Sequence, residues 1–147
     1  MTDHRHTLGH FLQTDLHRLE AALEERAWTT LVAERLTHHL RFAAQVQAVY
    51  LEGAHPQDTA LLARLEALAP QSIKEAIDQI KEGSHALSAA IQASSDDRLD
   101  ASVLDSHERG LTVLGYLYDF CRANAMLVEW ARALPGQAQE DDSLEDW

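Results

Sequence analysis

Tyr118 and Arg122 stand four residues apart, the spacing that puts two side chains on one face of a helix. With Leu111, Leu114, Cys121 and Ala125 they continue a three-four stripe, which predicts that a phenol and a guanidinium point toward the interior of a helical domain. A guanidinium left unpaired there carries a heavy desolvation cost, so Arg122 is expected to be at least partly buried beside a carboxylate. Asp15, Glu34 and Asp78 are acids at suitable helix positions. Cys121 is the only cysteine of the sequence, which leaves no internal disulfide and no thiolate-cluster zinc site. With no histidine within a turn to make a thiolate, it reads as a small apolar residue on a buried face.

Other residues have the right types for chemistry but the wrong setting. His6 and His10 form the one His-x-x-x-His pair, a spacing that can chelate a transition metal. The third donor would have to be His4, Asp3 or a neighbouring molecule, and the pair lies at a fraying helix end, so adventitious nickel or zinc is the most expected of them. Two Glu-x-x-His strings, Glu52 to His55 and Glu82 to His85, have the form used by di-iron carboxylate bundles. The first runs into Gly53 and Pro56 at a helix end, and the second contains Gly83, so neither is placed for a mid-bundle iron site. Asp105-Ser106-His107-Glu108 holds the residue types of a hydrolytic triad, yet adjacent residues do not converge by adjacency, and helix capping explains them better.

The elements that must position these residues are helical. Ala, Leu and Glu outnumber Val, Ile and Thr, glycine and proline are sparse, and no strand-like alternation is found, which predicts an all-α fold. Apolar periodicity predicts four long helices at 7–26, 29–52, 71–93 and 105–134, with a short extra helix from Asp58 or Thr59 to about Leu68. Leu8, Phe11, Leu12, Leu16, Leu19 and Leu23 form the first inward stripe. Leu36, Leu40, Ala43, Val46 and Tyr50 form the second, and Ile73, Ile77, Ile80, Ser84, Leu87 and Ile91 the third. Ser94 to Asp97 reads as a turn, and Asp105 or Ser106 as the cap of the last helix. This gives one domain over residues 1–134, a four-helix bundle, followed by an acidic tail at 135–147 that reads as disordered.

A net charge of −12 opposes binding to nucleic acid and to anionic lipid, both of which call for cationic surfaces. No run of about 20 apolar residues is present to span a membrane. Without a secretory h-region at the start, a cytoplasmic location is expected.

Three phrases carry a resemblance to a known family. Trp28-Thr29-Thr30 leads after a short interval to His38-His39-Leu40; Ser94-Ser95-Asp96-Asp97-Arg98-Leu99 follows the third long helix; and Tyr118-Asp119-Phe120-Cys121-Arg122 stands on the last. In this layout, over roughly residues 8–134, the chain resembles the DinB/YfiT-like superfamily of four-helix bundles. Members commonly bind a metal through three histidines, two of them spaced i, i+4 on the final helix. The resemblance aligns those two with Tyr118 and Arg122, and leaves His38 as the retained histidine. It therefore implies a degenerate metal site with no cofactor expected, since an arginine cannot donate electrons to a cation. His38, Tyr118 and Arg122 become the interior ligand-binding candidates. The implied function is a non-catalytic, small-ligand-binding or protein-interaction, stress-associated protein, homodimeric by analogy. The alternative is a DinB-family enzyme, a metal-dependent hydrolase or thiol-dependent transferase with zinc or nickel, or a reworked site in which Arg122 clamps a small anionic ligand and His38 acts as acid or base.

Overall fold

Helices in this chain begin where the sequence offers a side-chain oxygen to free backbone N–H groups. In the computed structural model, which describes residues 4–104 and 110–135, Thr29 accepts from the Val32 N–H at 3.2 Å to open α2 (Thr30–Glu52). Asp58 accepts from Ala60 and Leu61 to open the short α3 (Thr59–Glu66). Ser72 accepts from Glu75 at 3.1 Å to open α4 (Ile73–Gln92). Gly53 ends α2 in the left-handed region, φ 69°, where a Cβ would be disfavoured. α1 (His4–Leu23) precedes all of these, and α6 (Val113–Arg132) closes the described chain.

The four long helices contact one another in a ring: α1 against α6 and α4, and α2 against α4 and, less extensively, α6. Their buried faces form two apolar clusters. One gathers Leu8, Leu12, Val46, Leu87, Leu117 and Phe120, the other Leu16, Leu19, Leu36, Ile77, Ile80, Leu127 and Val128. Burying such side chains at about 25 cal/mol per Å² is the main term favouring the fold. The clusters meet at a polar seam. On every long helix a polar side chain stands between a residue of one cluster and a residue of the other: Asp15 between Leu12 and Leu16, His39 between Leu36 and Ala43, Ser84 between Ile80 and Leu87, and Asn124 between Cys121 and Leu127. Among the described residues no helix is long and apolar enough to cross a membrane.

The all-α expectation holds for the helices, and the first three long ones lie within three residues of their expected limits. Three details differ. Ser94 to Asp97 is not a simple turn, because Ser95 caps a short helix, α5 (Asp96–Asp100). The last long helix starts at Val113 rather than 105, capped by Thr112, whose hydroxyl accepts from Gly115 at 3.0 Å. Ahead of it lie two strands, β1 (Ser102–Leu104) and β2 (Gly110–Thr112), paired antiparallel with Ser102 opposite Thr112. Val103 and Thr112 suit a strand, and the Gly110 at the head of β2 weakens helix continuation there. The proposed cap at Asp105 or Ser106, the Asp105 to Glu108 string and the tail beyond 135 lie outside the described residues.

The third difference is rotation. α6 buries Val113, Tyr116, Leu117, Phe120, Cys121, Leu127, Val128 and Ala131, while Leu114 and Ala125 are half-buried and Arg122 is exposed. The inward face is thus turned by about one residue, roughly 100°, from the expected stripe. On α1, Phe11 is likewise 42% exposed instead of buried. Equilibrium denaturation of point variants checks the rotation. Leu117→Ala, at a fully enclosed position, is expected to cost about 3 kcal/mol, whereas Arg122→Ala should stay within about 0.5 kcal/mol. Thr112→Ala should cost about 1 kcal/mol if the helix starts where the structure puts it.

Candidate functional site

His39, not its neighbour His38, is the histidine that points inward. The two are one residue apart on α2 and so differ by about 100° around its axis; His39 is 2% exposed and His38 is exposed. His39 Nε2 lies 2.7 Å from Asn124 Oδ1 on α6, so the imidazole donates to the amide oxygen across the seam. Its ring stacks on Phe120, with centroids 6.2 Å apart and planes within 17°, and Phe120 also meets Phe42 edge-on at 5.7 Å. Phe120 and Asn124 are four apart, hence on one face of α6. His39 is therefore met by a pair of α6 residues with the i, i+4 spacing.

Burial pushes the His39 pKa down to about 4, an effect that the Asn124 hydrogen bond partly opposes and the nearby Arg35 and His38 charges reinforce. The ring is neutral near pH 7. Asn124 also borders a cavity of about 10 Å³ whose other polar lining residues are Asp15 and Ser84. Burial raises the Asp15 pKa, against the pull of Arg18, whose Nη1 donates to Asp15 Oδ1 at 3.1 Å while its Nη2 donates to Glu129. Cys121 is pushed up to about 12 by burial and by the Asp15 charge, which leaves it a thiol and a poor nucleophile.

Outside His39 the α2–α6 junction opens into a cleft of about 510 Å³, bounded by Arg35, His38 and Arg41 on α2, Ala123 and Met126 on α6, and Leu65 on α3. Phe42 lines its wall, and His39 contributes to its lining as well. Arg35 is held over the Trp130 ring at 5.7 Å. Arg41 donates through Nε and Nη2 to the Leu68 carbonyl and through Nη2 to that of Glu66. These are carbonyls at the open C-terminal end of α3, where a cation is favoured.

The three interior candidates read from the sequence do not line this cleft together. His38 stands at its rim. Tyr118 is half-buried on α6 and shares a 2.9 Å hydrogen bond with His4 Nδ1 on α1. Arg122 is exposed and has no ion pair with a described acid, so the expected burial beside a carboxylate fails. The named acids are elsewhere: Asp15 pairs with Arg18 and Asp78 with Lys74, while Glu34 is exposed. His6 and His10 are both exposed on α1. Glu52 is tied by both carboxylate oxygens to Arg64, and Glu82 and His85 face outward on α4. Among the described residues no three His, Cys, Asp or Glu side chains are grouped to hold a metal. His39 and Asn124 were missed because the rotation of α6 could not be fixed from apolar spacing alone. The available signal was the lone amide in an otherwise apolar helical run.

The low His39 pKa has a measurable consequence. An imidazole whose folded pKa lies below its unfolded value binds fewer protons when folded. Its contribution is complete above the unfolded value of 6.5 and is lost as pH falls toward 4. Relative to His39→Gln, the wild-type chain should lose about 3 kcal/mol of stability between pH 7 and pH 4. Comparing the two chains removes the opposite contribution of Asp15, whose raised pKa stabilises the fold on acidification. Parallel pH profiles for both chains would contradict the buried neutral imidazole.

No protein-family model matches this sequence, and no curated protein matches it.

Proposed function

We propose that this chain is a four-helix bundle of DinB/YfiT-like type whose interior metal site has been replaced by a metal-free polar contact, and that it is a non-catalytic binding protein for a small ligand at the α2–α6 cleft. The observation that carries this reading is His39, a buried neutral imidazole facing an i, i+4 pair on the last helix. The ring of four long helices and the polar seam at mid-depth support it. On this reading the family's helix-six ligand positions correspond to Phe120 and Asn124 rather than Tyr118 and Arg122. Arg122 stands two residues before Asn124, hence on nearly the opposite side of the helix, and it is exposed. One imidazole, one amide and a phenyl ring do not fit a divalent metal, which needs three or more good donors. What remains is a pre-formed concave surface with a few polar groups, the usual form of a small-ligand site.

Restoring the missing donors tests this. The wild-type chain, purified without a histidine tag, is expected to carry no stoichiometric zinc. The Phe120→His, Asn124→His double variant should take up about one zinc per chain, and His39→Ala in that background should abolish it. A folded double variant that ignores zinc would remove the support for the family reading, and stoichiometric metal in the wild type that vanishes in His39→Ala would overturn the degenerate site.

A further inference from the structure

The cleft is cationic in a chain that is otherwise strongly acidic. Arg35, His38 and Arg41 recur at i, i+3 and i+6 on α2 and all border the same cavity. Half or so of the described cations are matched to acids: Arg5 to Asp96, Arg18 to Asp15, Arg64 to Glu52, Lys74 to Asp78, Lys81 to Glu20 and Arg132 to Glu129. Arg35 and Arg41 have no carboxylate within 4.0 Å among the described residues. With a net charge of −12, acids are abundant in the chain, yet none lines this cleft, so its arginines set the sign of the local field.

Both guanidiniums are also held in place before anything binds. Arg35 lies on Trp130, and Arg41 is oriented by the Leu68 and Glu66 carbonyls through Nε and Nη2, so its Nη1 has no acceptor among the described residues. Fixing a rotamer-rich side chain in advance lowers the entropic cost of binding. Beside the arginines, the two histidines and the buried Gln45, the lining is apolar: Phe42, Leu65, Ala123 and Met126, the last 60% exposed and adaptable in shape.

We infer that this cleft takes a small organic acid, its carboxylate met by Arg35 and Arg41 and its apolar body laid on Phe42, Leu65 and Met126. The inference rests on the cleft being the binding site proposed above. A carboxylate matches one free edge of a guanidinium, whereas a dianionic phosphate calls for more donors, such as helix N-terminal amides. Arg35, His38 and Arg41 lie in the body of α2, away from its first turn.

The Met126 methyl resonance of the full chain, followed by NMR at fixed ionic strength, gives the test, with 4-phenylbutyrate, its neutral amide, phenyl phosphate and inorganic phosphate as probes. The acid is expected to shift the resonance saturably, with a dissociation constant of about 1 mM or tighter. The amide should bind about tenfold more weakly, and Arg35→Met should remove most of the acid's roughly tenfold advantage over the amide. Saturable amide binding in the variant shows that its cleft is intact. Equal affinity for acid and amide would overturn the charge requirement and leave the cleft as a binding site. Tighter binding of either phosphate would overturn the carboxylate preference. No saturable shift from any of the four up to about 10 mM would overturn both this inference and the reading beneath it.

Discussion

A neutral imidazole cannot be enclosed between apolar helices without a partner for its N–H, because an unmet buried donor costs about 1–3 kcal/mol. The His39 contact with Asn124 meets that demand and, in doing so, fixes how α2 and α6 sit against each other. Apolar packing alone tolerates small rotations and slides of a helix. A 2.7 Å hydrogen bond at the centre does not, and the stack of His39 on Phe120 one turn away restricts it further. Depth and rotation of α6 are thereby set together, and with them the outward turn of Arg122 and the inward turn of Leu117.

The same contact divides polar function from structural packing. Toward the core, Asn124 borders the same small cavity as Asp15 and Ser84, enclosed by leucine and isoleucine, with Asp15 held by Arg18. Toward solvent, His39 forms part of a cleft whose charge is carried by arginines that touch an aromatic ring or backbone carbonyls instead of acids. The interior thus supplies geometry, while the cleft supplies field and surface. A neutral His39 suits this division, since a buried imidazolium near Arg35 would be opposed by burial and by like charge.

How far the sequence reveals this depends on the element. α2 and α4 are readable because their apolar stripes are long and α2 stops at Gly53, while the Ser72 cap of α4 falls inside the expected 71–93. The start of α6 was hidden because Asp105 and Ser106 resemble a cap as closely as Thr112 does, and local patterns cannot decide between two acceptable caps. The face of α6 was misread for a related reason. Two stripes with three-four spacing run along it, one through Leu114, Tyr118 and Ala125, the other through Leu117, Phe120, Asn124 and Leu127, and both contain or adjoin Cys121. Only contacts from other helices select one. The choice between His38 and His39 inherits that ambiguity, since adjacent residues differ only in which way the helix is turned. The cleft was beyond sequence reasoning altogether, because α3 contributes Leu65 and its terminal carbonyls from a separate element.

Arg41 joins that separate element to α2. Its guanidinium is shared between the end of α3 and the edge of the cleft, so whatever draws it toward the cleft loosens its hold on the Glu66 and Leu68 carbonyls. By reciprocity, any fluctuation that frays the last turn of α3 changes the charge presented to the cleft by the same coupling free energy. The wall formed by Leu65 and the charge of Arg41 are thus thermodynamically linked, and the short helix is a variable of the site as well as its boundary.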